Sequence, residues 1–115
     1  MMTERQVEAA IQEAFRFRYR ITLWKIDAGG RGLRSAGPKG ARGSTGIPAG
    51  FPDLLGLEPV SGRAVFVEVK RPGGKPAPHQ AMFLALLRSM GAVAFCADSV
   101  DSALRQFDQQ TGRAA

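Results

Sequence analysis

Hydrophobic positions recur with helical spacing at both ends of the chain and with strand-like patterns between them. Thr3 and Gln6 form a capping-box pair ahead of apolar residues spaced three and four apart, which predicts a helix through about residue 18. Further helices are predicted over residues 79–90 and, from a serine cap, over 99–109. In the helix over 79–90, the side chains expected to face the core are Met82, Phe83, Leu86 and Leu87.

Four short segments rich in β-branched and aromatic residues predict strands, at residues 21–26, 53–57, 63–70 and 92–97. The turn residues 59–62 join the second and third segments as an antiparallel hairpin. A helix separates the third and fourth segments, which predicts a right-handed crossover between parallel strands. The order α-β-β-β-α-β-α therefore predicts one α/β domain over residues 1–115, with a mixed sheet of about four strands flanked by helices.

Residues 27–50 interrupt this pattern with a glycine-rich, basic segment. A connection of this length is uncommon in a compact domain unless it is functional or disordered. Glycine permits close backbone approach, so the composition favours an arm that lies along phosphates; the alternative is a mobile connection with solubilising charges. Residues 111–115 are expected to form a flexible tail. The basic side chains of the arm are Arg31, Arg34, Lys39 and Arg42.

The formal net charge of +6 favours an anionic partner, because lysine and arginine supply most non-specific affinity for nucleic acid. A solvated basic surface is the alternative reading of the charge. Cys96 is the one cysteine and lies in an apolar run, so we expect a small buried side chain rather than a disulfide or a cysteine metal site. No apolar signal region or run of about 20 apolar residues is present, and we expect a cytoplasmic protein without a membrane partner.

Three charged residues stand in or beside the apolar strand segments. Side chains alternate along a strand, so Phe66, Glu68 and Lys70 are expected on one face and the three intervening valines on the other. Burying a charge is costly unless it is paired or binds a metal, and Asp53 on the neighbouring strand is able to converge on the same point. Two carboxylates and a lysine make a divalent-cation site beside a group that handles protons or stabilises charge. The alternatives are a turn aspartate at Asp53 and a structural Glu68–Lys70 ion pair, which leaves the third charge unexplained.

These residues resemble the motifs of the VRR-NUC branch of the PD-(D/E)xK nuclease superfamily. The resemblance rests on Pro52-Asp53, approached by the glycine-rich residues 46–51, and on Glu68-Val69-Lys70. It is strengthened by the turn over residues 71–74 and by Gln80 at the start of the next helix. The likeness extends over most of the chain, roughly residues 3–104.

The resemblance implies a restriction-endonuclease-like core and a Mg²⁺- or Mn²⁺-dependent endonuclease. It implies metal ligation by Asp53, Glu68 and the backbone carbonyl of Val69. Lys70 would orient or deprotonate the attacking water, or stabilise charge on the phosphate, and these roles stay open. Small stand-alone, phage-type members of the branch act as homodimers on structured DNA such as four-way junctions, which makes branched DNA the expected partner.

The resemblance also points to residues outside the central motif. It implies a glutamate on the first helix that reaches the site, matched best by Glu4, with Glu8 one turn later as competitor. Both are equally explained as acidic residues placed favourably near the helix N-terminus. Gln80 would contact a ligand carboxylate or a phosphate, unless it is an exposed helix-start residue. Arg71 and Lys75 are expected to contact the DNA backbone, and the alternative for both is a charged loop. His79 is expected at the surface.

Other classes of function remain open at this stage. A non-catalytic nucleic-acid-binding module would keep the fold and the basic arm, and a structural protein would use Glu68 and Lys70 as an ion pair. An RNA-cutting nuclease and a sequence-specific enzyme are further alternatives, although this length leaves no room for a separate recognition domain. Residues 37–45 lack the Gly-Lys-Ser/Thr ending of a P-loop, so no nucleotide cofactor is expected.

Overall fold

The computed structural model describes residues 1–26 and 47–113 and contains the predicted order of helices and strands. The basic residues of the predicted arm, Arg31, Arg34, Lys39 and Arg42, lie outside the described residues. The elements are α1 (Glu4–Tyr19), β1 (Trp24–Lys25), β2 (Leu54–Leu57), β3 (Ala64–Val69), α2 (Pro78–Ser89), β4 (Val93–Ala97) and α3 (Val100–Thr111).

The four strands form one mixed sheet in the order β1-β2-β3-β4. The pairs β1–β2 and β2–β3 are antiparallel, and β3–β4 is parallel, which confirms the predicted hairpin and crossover pairing. The first strand is shorter than the predicted segment over residues 21–26, since only Trp24 and Lys25 pair with β2. Ile21 and Leu23 are buried in the core outside the ladder, so packing rather than strand pairing explains their alternation.

One face of the sheet packs against α1 and α3. The valines of β3 point to this side, as their alternation predicts, and share a core cluster with four aromatic rings from α1, β4 and α3. Phe15 lies in edge-to-face contact with Phe107, at 5.2 Å between ring centroids, and 6.4 Å from Phe95. The capping box of Thr3 and Gln6 at the start of α1 is present in both directions.

The opposite face of the sheet packs against α2 through Leu84, which lies with Phe66 and Ala94 in a second core cluster. The prediction that Met82 and Leu86 face the core is wrong: they are 73% and 52% exposed, whereas Leu84 is 3% exposed. Each lies two residues, roughly 200°, from Leu84 around the helix, and therefore on its outer side. Apolar residues occur all around α2, so spacing alone did not identify the buried side.

The outward edge of β4 is covered by side chains of the helices. The Gln110 amide donates to the carbonyl of Ala94 at 2.9 Å and accepts from its N–H at 3.0 Å. Gln106 donates to the carbonyl of Cys96 at 2.7 Å, and Arg88 of α2 also donates to that of Ala94. The N–H and carbonyl of Ala94 and the carbonyl of Cys96 therefore have partners without a fifth strand.

The C-terminal helix is longer than predicted. Thr111 belongs to α3, and Gly112 ends the helix in the left-handed conformation at φ 74°. The prediction that Thr111 belongs to a flexible tail is therefore wrong, and residues 114 and 115 lie outside the described residues. None of α1, α2 and α3, the helices of the described residues, has the length and hydropathy needed to span a membrane.

Candidate active site

The β2–β3 hairpin brings Asp53 beside Glu68. Leu54 is paired with Val67, so continuing this antiparallel register by one residue sets Asp53 opposite Glu68. The Asp53 carboxylate accepts a hydrogen bond from the backbone N–H of Val69 at 2.8 Å. The backbone carbonyl of Asp53 accepts a hydrogen bond from the N–H of Ile26 at 2.6 Å. Asp53 is thus held between strands from both sides.

Glu68 is a carboxylate inside the apolar sheet, only 3% exposed. Its Oε2 atom accepts a hydrogen bond from Gln80 Nε2 at 3.0 Å and lies 3.4 Å from Lys70 Nζ. The other oxygen, Oε1, is buried and has no hydrogen-bond partner among the described residues. A buried acceptor of this kind is costly unless a further group reaches it.

The electrostatics of the site follow from burial and from two carboxylates in proximity. Burial, followed by the charge of the neighbouring Asp53 carboxylate, raises the pKa of Glu68 from its ordinary value of 4.5 to about 7. The Lys70 ammonium acts in the opposite direction. In the absence of another cation, a proton on Glu68 relieves the repulsion between the two carboxylates.

The residues present fit a hard divalent cation. A cation between Asp53 and Glu68 would replace the proton and supply a partner for Glu68 Oε1. Across residues 1–26 and 47–113, no three His, Cys, Asp or Glu side chains gather into a metal-binding group. Mg²⁺ is suited to such a site, because it often binds one or two carboxylates and keeps waters or phosphate oxygens as its other ligands.

The glutamates of α1 take no visible part in this arrangement. Glu4 is exposed in the first turn of α1, and the Glu8 carboxylate is paired with Lys25 Nζ at 3.1 Å. Helix α1 packs on the face of the sheet opposite to that of Phe66 and Glu68. A role for Glu4 or Glu8 in the site stays a prediction.

Two further residues lie near the site, where the sequence pattern had not placed them. Cys96 is paired with Glu68 across the parallel strands, and burial together with the Glu68 charge raises the pKa of its thiol to about 11. Asp98 accepts a hydrogen bond from the Gly73 N–H at 2.8 Å, which fixes the turn after Lys70. Asp98 directly follows β4, and the parallel pairing of β3 with β4 is the signal that would have placed it there.

The profile of the VRR-NUC domain matches residues 2–101. The chain belongs to the VRR-NUC family. A solved structure described as a VRR_NUC domain protein superposes with a TM-score of 0.54 at 19% identity, over 98% of this chain and 91% of the other. At this identity the likeness concerns the fold alone. The search of curated proteins finds no match.

Membership in the VRR-NUC family gives the chain its general enzyme class, a nuclease, and implies DNA as its substrate. The remaining basic candidates lie on the connection between β3 and α2. Arg71 and Lys75 are both exposed there, one and five residues after Lys70. They are free to face a substrate that approaches Glu68, and their contact with DNA remains a prediction.

Gln80 joins the candidate site to the start of α2. Its Oε1 atom accepts a hydrogen bond from the N–H of Ala77, the residue before the helix, at 2.8 Å, and its Nε2 atom donates to Glu68. One side chain thus caps the helix and holds the buried carboxylate. The alternative that Gln80 is merely an exposed residue at the start of a helix is wrong. Its side chain is partly buried, and its Oε1 and Nε2 atoms are both hydrogen-bonded.

Replacing Gln80 with alanine should therefore cost more than the loss of a cap. We expect the free energy of unfolding to fall by about 2 kcal/mol, from the cap and from the hydrogen bond to the buried carboxylate. Gln6→Ala is the matched control, because Gln6 makes the same capping contact on α1 at an exposed position. It should cost about 1 kcal/mol or less. Equal losses in urea titrations of the two variants would contradict the role of Gln80 at Glu68.

The glycine-rich approach to Asp53 is packed against α2. Gly50 has φ +90°, and a Cβ at this position would lie 2.7 Å from Cδ2 of His79. His79 is exposed, as expected, but its ring lies beside the Gly50 backbone. Phe51 follows and packs edge-to-face on Phe66 and Phe83. These contacts set the path of the chain into Asp53.

Replacing Gly50 with alanine should destabilise the fold by about 2 kcal/mol or more, from left-handed strain and from overlap with the His79 ring. Gly62→Ala separates the two causes, because Gly62 has φ +76° with nothing within 4 Å of its Cβ position. This control should show only the strain, about 1 kcal/mol. Thermal unfolding of both variants measures the difference. A second substitution, His79→Ala, should recover the part due to overlap, and the absence of any recovery would contradict this account.

Proposed function

We propose that this VRR-NUC domain is a Mg²⁺- or Mn²⁺-dependent endonuclease that hydrolyses phosphodiester bonds in structured or branched DNA, such as four-way junctions. One observation carries the proposal. A carboxylate that is 3% exposed, with one oxygen that has no hydrogen-bond partner within residues 1–26 and 47–113, lies beside a second carboxylate and 3.4 Å from an ammonium group. A purely structural ion pair explains neither the unpartnered oxygen nor Asp53.

The metal ligands in this proposal are the side chains of Asp53 and Glu68 and the carbonyl oxygen of Val69. The Val69 N–H already holds the Asp53 carboxylate in place. When bound, such a cation polarises a phosphate oxygen and lowers the pKa of a water molecule. Gln80 keeps Glu68 in the required orientation by donating to its Oε2 atom, so that Oε1 remains available.

Lys70 supplies the positive charge of the site. Its ammonium lies beside Glu68 at the end of β3. The Lys70 side chain is 21% exposed, so a group from solvent reaches the ammonium while it stays paired with Glu68. Phosphoryl transfer depends mainly on positioning and on stabilising developing charge, so a fixed ammonium suits this reaction without a covalent nucleophile. Arg71 and Lys75 on the following turn, together with Arg31, Arg34, Lys39 and Arg42, would hold the DNA backbone.

The preference for branched DNA rests on size and symmetry. A domain of 115 residues has little surface with which to grip a duplex. A homodimer would present two sites related by a twofold axis, which suits the paired strands of a junction. This is the finer part of the proposal, and the choice of substrate in the experiment tests it separately from cleavage.

The test is a cleavage assay with Mg²⁺ or Mn²⁺ on labelled single-stranded, duplex, flap and four-way-junction DNA. We expect metal-dependent cleavage, fastest on the junction, and none with Asp53→Ala. Asp101→Ala removes an exposed carboxylate from the first turn of α3 and should cut like the wild type. If the wild type binds all four DNAs but cuts none of them, the chain is a binding module with a nuclease fold. Cleavage that survives in Asp53→Ala would contradict the assigned site.

A further inference from the structure

The last turn of α1 carries an exposed aromatic ring between arginines. Phe17 is 91% exposed. Arg16 and Arg18 stand on either side of it and Arg20 follows at the helix end, and all three are exposed. Residues 14–26 contain four basic residues and no acidic one. A single exposed apolar side chain is common, but a ring among cations is the arrangement that stacks the bases of single-stranded nucleic acid and neutralises its phosphates.

The Phe17 ring borders a cleft of about 650 Å³ between α1 and the chain that leads into β1. This volume is within the range of sites that bind small organic groups. Glu13, Arg16 and Phe17 recur three and four residues apart, so they share one side of α1. The Gln12 amide donates to the carbonyl of Leu23 at 2.9 Å and joins the two walls. The lining residues are Gln12, Glu13, Arg16, Phe17, Thr22 and Leu23.

The charged groups at this cleft suit the two ends of a nucleotide. Arg18 is occupied, because its guanidinium lies 3.9 Å from the Asp108 carboxylate. Arg16 and Arg20 have no ion-pair partner in the part of the chain that the structure describes, so both are available to phosphate. The Glu13 carboxylate repels phosphate from the cleft and accepts hydrogen bonds from the amino group of a base. The base therefore fits inside, with the phosphates at the arginines.

The backbone of Arg20 indicates that its side chain is used. Arg20 has φ 60° and ψ 34° at the end of α1, and it is the one residue other than glycine with positive φ among residues 1–26 and 47–113. Glycine is the usual residue in this conformation, since a Cβ atom is unfavourable there. Strain of this kind persists where a side chain has a function.

The cleft lies close to the candidate active site along the chain. Thr22 lines the cleft, and the N–H of Ile26 donates to the carbonyl of Asp53. Four residues separate Thr22 from Ile26, and this backbone spans at most roughly 14 Å. Within the described residues, β1 is the outer strand of the sheet, so the cleft and Asp53 lie near the same edge. A few nucleotides connect the two places.

We propose that this cleft binds an unpaired nucleotide of the DNA substrate. Its base stacks on Phe17 and donates an amino hydrogen to Glu13, while Arg16 and Arg20 contact the flanking phosphates. This role rests on the proposed function for the choice of DNA, and it adds that the substrate carries unpaired bases beside the point of cleavage. A second copy of the chain is a poor occupant, because the arginines of the two copies would repel each other.

The test is DNA binding in the presence of chelator, followed by fluorescence anisotropy, so that no cleavage is needed. The probes are a blunt duplex and the same duplex with a short single-stranded tail. The wild type should bind the tailed DNA about 10- to 100-fold more tightly, the usual effect of one stacked base. Phe17→Ala should lose this preference and keep its affinity for the blunt duplex, whereas Phe17→Tyr should retain the preference. Leu86→Ala, at a 52% exposed position on α2, is the matched control and should bind like the wild type.

Two further measurements separate stacking from general attraction. A tail of abasic sugar-phosphate should bind the wild type as weakly as the normal tail binds Phe17→Ala, and combining both changes should cost nothing more. Arg20→Gly should weaken the binding of tailed DNA and reduce its salt dependence, because a phosphate contact is lost. The same variant should unfold at a higher urea concentration than the wild type, because the left-handed strain is relieved. Circular dichroism checks that all variants keep the fold.

Equal affinity of the wild type for tailed and blunt DNA would overturn the proposal. A tail preference that survives Phe17→Ala would also overturn it, since the base would then lie elsewhere. So would binding to vesicles of equal parts phosphatidylglycerol and phosphatidylcholine that depends on Phe17, without a tail preference, because the ring would then serve a lipid surface. A tail preference that depends on Phe17 supports the cleft even if Mg²⁺ induces no cleavage. Cleavage without any tail preference contradicts the cleft and leaves the nuclease in place.

Discussion

Replacing Lys70 with methionine is expected to lower the rate of DNA cleavage by about 100- to 1,000-fold, the usual cost of removing one fixed group that stabilises developing charge. Lys70 Nζ lies 3.4 Å from Glu68 Oε2, and the side chain is mostly buried. Methionine has a similar length and no charge, so it fills the same space without the ammonium. The fold and the binding of DNA should therefore be retained.

Two variants distinguish this effect from weaker binding and from loss of metal. Lys75→Met removes an exposed lysine five residues further on, and should lower DNA affinity and its salt dependence with little effect on the single-turnover rate. Asp53→Asn should lose both cleavage and Mn²⁺ binding, as followed by calorimetry. Lys70→Met should still bind Mn²⁺. If it cleaves saturating DNA at the wild-type rate, Lys70 has no part in the chemistry.

The second large effect concerns stability in the absence of metal. The free energy of unfolding should fall as the pH rises from 5 to 8. The cause is Glu68, whose pKa is about 7 in the fold against an ordinary value of 4.5. Below pH 4.5, the pKa of Glu68 in the unfolded chain, both the folded and the unfolded states hold its proton, so burial of the carboxyl costs little. Between the two values the unfolded chain releases the proton while the fold retains it, and stability declines. Above the higher value the full cost is present, and the fall from pH 5 to 8 is about 2–3 kcal/mol.

Glu68→Gln should remove this part of the pH dependence, because the amide is neutral at every pH and keeps the shape of the protonated acid. Urea titrations in the presence of chelator should find the variant more stable than the wild type at pH 8, and nearly equal at pH 5. Adding Mn²⁺ should stabilise the wild type more at pH 8 than at pH 5, since protons compete with metal for Glu68. If the free energies of unfolding of the wild type and of Glu68→Gln differ by the same amount at pH 5 and at pH 8, Glu68 is not protonated in the fold.

The central part of the site could be predicted because it depends on strand geometry. Side chains alternate along a strand by covalent geometry, so the valines of β3 had to lie opposite Phe66 and Glu68. The hairpin between β2 and β3 then set Asp53 near Glu68 once the register was known. The register itself follows from apolar alternation, since a slip by one residue would turn Glu68 into the larger core.

Other features depend on contacts that no local pattern encodes. Spacing in α2 did not distinguish Leu84 from Met82 and Leu86, because the helix is apolar on both sides. Gln80 had a predicted role at the site, but its capping bond to Ala77 emerged only from the orientation of the helix. The glutamine contacts of α3 at β4 join residues that lie between 10 and 16 positions apart, and these become neighbours only when α3 folds back along β4.

Those glutamine contacts have a consequence for aggregation. The β4 segment is uncharged, rich in apolar residues and free of proline, a composition that favours the stacking of strands from different molecules. While α3 is folded, Gln110 occupies the N–H and carbonyl of Ala94 and Gln106 the carbonyl of Cys96, so an incoming strand cannot bond to them. A change that unfolds α3 alone would expose this edge, and it would reduce solubility well before it abolished the sheet.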